Sequence, residues 1–156
     1  MEMFLAFNRF LAHPLTERPE LLFQESHPGL SVIVVFTSVE PTVEALRRAG
    51  VLANRLRARI TLLVPQIVPY PLPITSPPVL LDFNEKRFRV IARESPVETK
   101  VHIYLCRDRF VELGNVLEPH SLVVIGGRKR CWPTAEKKIA KHLRRAGHEV
   151  ILVETE

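Results

Sequence analysis

Cysteine is nearly missing: only Cys106 and Cys131 occur in the 156 residues, far apart and outside any Cys-x-x-Cys pattern. That argues against a thiol redox motif or a zinc cluster and fits reduced thiols in a cytosolic protein. No run of about 18 apolar residues exists, so no segment is long enough to cross a bilayer as a helix. Near the N-terminus, Asn8 and Arg9 interrupt the apolar stretch from Phe4 to Leu11 and no small-residue cleavage site follows, so a secretory signal is not expected. The histidines at 13, 27, 102, 120, 142 and 148 lack metal-binding spacing and a neighbouring carboxylate cluster, so no metal site is expected. Ser, His and Asp are present, but no Gly-x-Ser-x-Gly elbow organises them and no catalytic residue stands out. Glycine is scarce as well: there are six, and none lies between Arg128 and Ala146.

What is present suits a single domain. A hydrophobic content of 46% is enough for a continuous core at this length. The net charge of +5 and the pI near 9.6 favour encounters with anionic partners without naming one. Residues 1–30 read as an N-terminal arm: Phe4, Phe7, Phe10 and Leu11 recur at helical spacing, followed by a polar segment broken by Pro14, Pro19, Pro28 and Gly29. Residues 31–156 read as the α/β domain.

Within that domain, Ser31 to Phe36 is a β-branched run of the kind buried on both faces of a parallel sheet, and should sit centrally. Val43, Leu46, Ala49, Ala53 and Leu56 trace one face of a helix beginning near Ser38 or Glu40, with Pro41 in its first turn. Arg59 to Val64 gives a second strand. Prolines at 65, 69, 71, 73, 77 and 78 then predict a long stiff loop, because proline removes a backbone donor and fixes φ. Leu80 to Arg93 reads as a helix with Leu81, Phe88 and Ile91 inward. Val97 to Cys106 alternates like a strand nearer the sheet edge. Asp108 can cap a helix carrying Phe110, Leu113 and Leu117. Ser121 to Ile125 is the next strand, running directly into Gly126-Gly127. The last helix places Trp132, Ala135, Ile139, Leu143 and Ala146 inward and closes at Gly147, and Val150 to Val153 is the fifth strand.

Strands alternating with helices in this way predict an α/β fold with an open, five-stranded, doubly wound parallel sheet. Ligands of such sheets bind outside the carboxyl ends of the strands where the winding reverses. That points to Thr37-Ser38, Val64-Pro65 and Gly126-Gly127.

The chain here resembles the universal stress protein family. The likeness is carried by Val-Ile-Val-Val-Phe-Thr-Ser-Val-Glu at Val32 to Glu40, by Leu52 to Val64, and by Leu-Val-Val-Ile-Gly-Gly-Arg-Lys-Arg at Leu122 to Arg130. The element order agrees from Ser31 to Glu154, and a Rossmann-like universal stress protein topology is what the resemblance implies. Nucleotide-binding members usually place aspartate at the end of the first strand, where this chain has Thr37. They also follow the fourth strand with Gly-x-x-Gly, nine residues, then Gly and Ser or Thr. Gly126 matches the first glycine, Lys129 stands at the second, and the distal half is missing.

Two functional readings follow. The first is a non-enzymatic, cytoplasmic, universal-stress-like regulatory or interaction protein, a homodimer that needs no ATP, with no cofactor expected. The second is an adenine-nucleotide-binding stress protein, taking ATP or AMP in a crevice lined by Thr37, Ser38, Val64, Gly126, Gly127, Arg128 and Arg130. The arginines and Lys129 lie beside a helix N-terminus, where charge and dipole together favour an anion. Lys137, Lys138, Lys141, Arg144 and Arg145 cover the outer face of the last helix and read as plain surface. Nucleic acid is not expected as a partner, since no aromatic platform accompanies those cations and Trp132 is expected to pack beneath the helix.

Overall fold

The computed structural model describes residues 30–109 and 111–156. The expected arm, apart from Leu30, and the expected packing of Phe110 lie outside the described residues.

Five strands form, β1 (Ser31–Val35), β2 (Arg59–Ile67), β3 (Thr99–Cys106), β4 (Leu122–Arg128) and β5 (Glu149–Thr155). They pair in the order β3-β2-β1-β4-β5, every pair parallel. The β-branched run of β1 is central, as its composition predicts, and β3 is an edge. Helices α1 (Val39–Leu56) and α2 (Leu81–Ala92) follow β1 and β2. The single turn α3 (Leu113–Val116) and helix α4 (Ala135–Arg145) follow β3 and β4.

The winding reverses between β1 and β4, and the two layers follow from it. Right-handed crossovers in opposite directions place their helices on opposite faces. On one face, Ala45, Leu46, Ala49 and Ala53 of α1 and Phe88, Ile91 and Ala92 of α2 pack on Val32, Val34, Ile60, Leu62 and Val124. On the other, Leu113, Val116, Ile139, Ala140 and Leu143 pack on Ile33, Val35, Leu63, Val123 and Ile125. β3 serves both layers, with Val101 in the first and Tyr104 and Cys106 in the second.

Several local expectations are corrected. β2 does not stop at Val64 but runs through Pro65 to Ile67. The carbonyl of Leu63 accepts from the Phe36 N–H on the β1 side, whereas the Val68 N–H donates to Cys106 on the β3 side. By that alternation Pro65 faces the β1 side, beyond the last residue of β1, so its missing N–H removes no ladder bond. The irregular loop therefore begins at Val68. The helix expected after Asp108 shrinks to one turn. Asp108 instead accepts from the Val111 N–H, and Gly114 and Asn115, followed by Pro119, offer little to extend the turn.

Two further corrections bear on function. Gly126 and Gly127 are not a turn after β4; they are strand residues paired with Val153 and Glu154. Trp132 is not beneath the last helix but 78% exposed. Thr134 caps α4 by accepting from the Lys137 N–H, so the helix begins at Ala135 and Trp132 is left in the connection before it. Ala135 and Ala146 are also exposed, and Ile139, Ala140 and Leu143 carry the inner face.

Candidate functional site

The crevice expected at the carboxyl ends of β1 and β4 is built from three approaches. β1 ends at Val35, and the chain passes through Phe36 and Thr37 to Ser38, which precedes α1 without making a side-chain cap bond. The first turn of α1 then lies directly over Gly126: a Cβ on that glycine would collide with the Pro41 carbonyl and ring. On the opposite face a Cβ on Gly127 would sit 3.2 Å from the Glu136 Cβ. The glycine pair is thus a two-sided notch, Gly126 admitting the start of α1 and Gly127 the start of α4.

Thr37 joins the notch to the crossover. Its hydroxyl donates to the Gly126 carbonyl at 2.7 Å, and its N–H donates to the buried Thr42 hydroxyl at 3.2 Å. Both groups that Thr37 could turn toward a ligand are therefore engaged within the protein. Val64 has its side chain in the core under α1 and α2, so only its backbone borders this region.

The cations lie further out. The Arg128 guanidinium bonds the Glu40 carboxylate at 3.1 Å, with both side chains largely exposed. Such a surface pair contributes about 0–1 kcal/mol, so an incoming anion could exchange for Glu40 at little cost. The Arg130 carbonyl accepts from Lys137 Nζ at 3.0 Å, while its side chain is exposed. Lys137 itself is bridged to Glu154 at 3.1 Å. The structure gathers Thr37, Gly126, Gly127 and Arg128 at one place, with Ser38 at its rim, Val64 buried and Arg130 outside. The sequence reading missed Glu40, Pro41 and Thr42. Their place at a helix start was legible, but nothing in the sequence pairs Glu40 with Arg128 or stacks Pro41 on Gly126.

Away from this region, a shallow pocket of about 250 Å³ is lined by Gly50, Val51, Asn54, Arg55, Pro96 and Val97. It lies toward the amino ends of the strands and is smaller than the usual ligand cavity. No group of three or more potential metal-ligating side chains occurs among the described residues, and no described helix is long and apolar enough to cross a membrane. The proline-rich loop is fastened at both ends. Arg107 donates to the Val68 carbonyl at 2.9 Å and lies over the Tyr70 ring, and Gln66 donates to the Val79 carbonyl at 3.2 Å.

Known structures share this layout. A universal stress protein from Archaeoglobus fulgidus superposes with a TM-score of 0.55 at 17% identity, over 80% of this chain and 93% of that one. The chain has the universal stress protein fold. A second universal stress protein, solved in complex with cAMP, matches with a TM-score of 0.53 at 14% identity, over 83% of this chain and all of that one. A macrolide-efflux protein from Streptococcus pneumoniae shares the layout at a TM-score of 0.50 and 17% identity, over 85% of this chain and 47% of its own. The same sheet thus occurs under unrelated names, and the fold by itself assigns no chemistry. No family model and no curated protein sequence matches the chain.

Proposed function

We propose that the chain is a cytoplasmic regulatory or interaction module of the universal stress type, without a catalytic step, working as a homodimer and independently of ATP. The observation that carries this reading is the bond from the Thr37 hydroxyl to the Gly126 carbonyl beneath Pro41. A phosphate cradle needs converging, uncommitted N–H groups and open space above glycine. Here the space above Gly126 holds α1, and Gly126 and Gly127 stand inside β4 as partners of Val153 and Glu154 rather than in an open loop. Calorimetric titration with ATP and AMP, with and without magnesium, tests the reading after nucleotide carried through purification has been checked. No heat of binding at millimolar ligand is expected, and saturable binding would overturn ATP independence.

The dimer rests on β5, whose outer edge pairs with no strand among the described residues and which exposes Ile151. An open edge is a template for pairing with a second copy. Sedimentation should find a dimer that Ile151→Lys shifts to monomer; a monomeric parent protein would reject it.

The cAMP-bound neighbour favours a second reading, adenine-nucleotide binding. Ser38 makes no cap bond and Arg128 is held only by an exposed pair, so both could turn to a ligand beside Thr37, Val64, Gly126, Gly127 and Arg130. Arg128→Ala combined with Arg130→Ala should then weaken AMP or ATP binding, and unchanged affinity would remove the two arginines from it.

A further inference from the structure

We infer that the segment from Lys129 through α4 is a binding surface for single-stranded nucleic acid, with Trp132 as its stacking platform. The first observation is where the charge lies. Residues 128–145 hold eight Lys or Arg against one acid, Glu136, a net +7. The whole chain carries +5, so the remainder is net −2, and the other acid-free basic run, five arginines spread over residues 45–81, is less dense. Charge concentrated on one helix and the segment leading into it is the electrostatic footprint of a phosphate-binding face.

The second observation is which cations are uncommitted. Arg128 pairs with Glu40, Lys137 bridges Glu154, and Arg144 donates to the Val150 carbonyl. Lys129, Arg130, Lys138, Lys141 and Arg145 are exposed, and their side chains make no ion pair among the described residues. Lys138, Lys141 and Arg145 stand at i, i+3 and i+7, opposite buried Ile139, Ala140 and Leu143, so they form one outward stripe. At 1.5 Å per residue the stripe extends about 10 Å along the helix.

Trp132 is the third observation and decides the class of partner. Its ring is 78% exposed, between the basic Lys129-Arg130 pair and the cap of α4, and it stacks on no other ring among the described residues. A solvated indole flanked by cations gives an unpaired base both a stacking face and charge for its phosphates. A duplex keeps its bases stacked inside and would leave the indole unused. The inference supplies a partner class for the interaction-module reading and rests on it. The two fail separately, because nucleotide binding is read at Thr37 to Arg128 by calorimetry and strand binding at Trp132 by fluorescence.

Trp132 is the only tryptophan, so its emission reports on this surface directly. The probe is an oligouridine of about 12 nucleotides, within the site size of such grooves. We expect saturable quenching, with affinity falling as salt rises on a log–log slope approaching about −3.5 for five phosphate contacts. By anisotropy of a labelled oligouridine, Trp132→Ala should weaken binding roughly ten-fold while Trp132→Phe keeps most of it. Replacing Lys138, Lys141 and Arg145 by Gln should lower the magnitude of the slope by about 2. Circular dichroism confirms that each variant is folded. The inference is overturned by absence of quenching, by an affinity indifferent to Trp132→Ala, or by equal affinity for a duplex of the same length. A blue shift of Trp132 on phosphatidylserine vesicles without response to the oligonucleotide would overturn it in favour of an anionic lipid surface.

Discussion

Gly126 shows what one missing methyl group does here. A Cβ would enter the Pro41 carbonyl, which is backbone at the start of a helix and cannot swing aside. Gly126→Ala should cost about 2 kcal/mol in urea unfolding, the range for overpacking a filled site. Gly114→Ala is the control, since nothing lies within 4 Å of its Cβ position, and it should be neutral or stabilise by up to about 1 kcal/mol. A Gly126→Ala protein as stable as its parent would mean that α1 does not sit where described. The two cysteines make a second contrast. Cys106 is fully buried, its thiol placed 3.7 Å from the Gln66 carbonyl, and burial first, then Glu112, pushes its pKa up to about 11. Cys131 is exposed. Labelling the native protein with a thiol reagent at pH 8 should modify one cysteine quickly and the other only on unfolding, since the thiolate is the reactive form.

Among the elements, α1 is the most exacting. It carries Gly50 in its interior, where Ala would ordinarily gain about 1 kcal/mol in helix propensity. Here a Cβ would run into the ring of Pro96 in the connection from α2 to β3. Gly50→Ala should therefore lower the urea midpoint, and a raised midpoint would show that the connection gives way. The inner face of α1 was legible, with Leu46, Ala49 and Ala53 buried as the spacing predicts, whereas Leu56 at its last turn is exposed. The contact that makes Gly50 necessary was not, because it joins residues 46 positions apart. β2 carries the same lesson. Proline in a sequence predicts a strand break, but whether it breaks one depends on which neighbour its missing N–H would have faced. That is a property of the sheet order.

At the scale of the molecule, His148 ties β4 to β5 at the amino ends of the strands. Its Nδ1 accepts the Ser121 N–H at 3.1 Å, which requires that nitrogen to be unprotonated. Burial first, and then neighbouring His120, lowers its pKa; burial and then Lys100 lower that of His102 on β3. For a histidine depressed in the folded state, the unfolded chain takes up more protons in the window between the two values. Stability is then complete above about pH 6.5 and declines as the pH falls below it. The urea midpoint should drop between pH 7.5 and pH 5, and His148→Gln should flatten the decline. A midpoint independent of pH would remove both rings from the account.

The sequence by itself determined the elements and their class. β-branched runs, 3.6-residue spacing and proline act over a few neighbouring residues, and their alternation leaves a parallel, doubly wound sheet as the way to bury every apolar face. Only the tertiary structure decided what stands at the carboxyl ends. The Thr37 bond to Gly126 and the Arg128 pair with Glu40 span 89 and 88 residues, and each depends on how closely α1 approaches β4. The exposure of Trp132 was settled the same way. Its apolar character is local information, but whether a core position receives it depends on where Thr134 starts the helix and what Ile139, Ala140 and Leu143 have already filled.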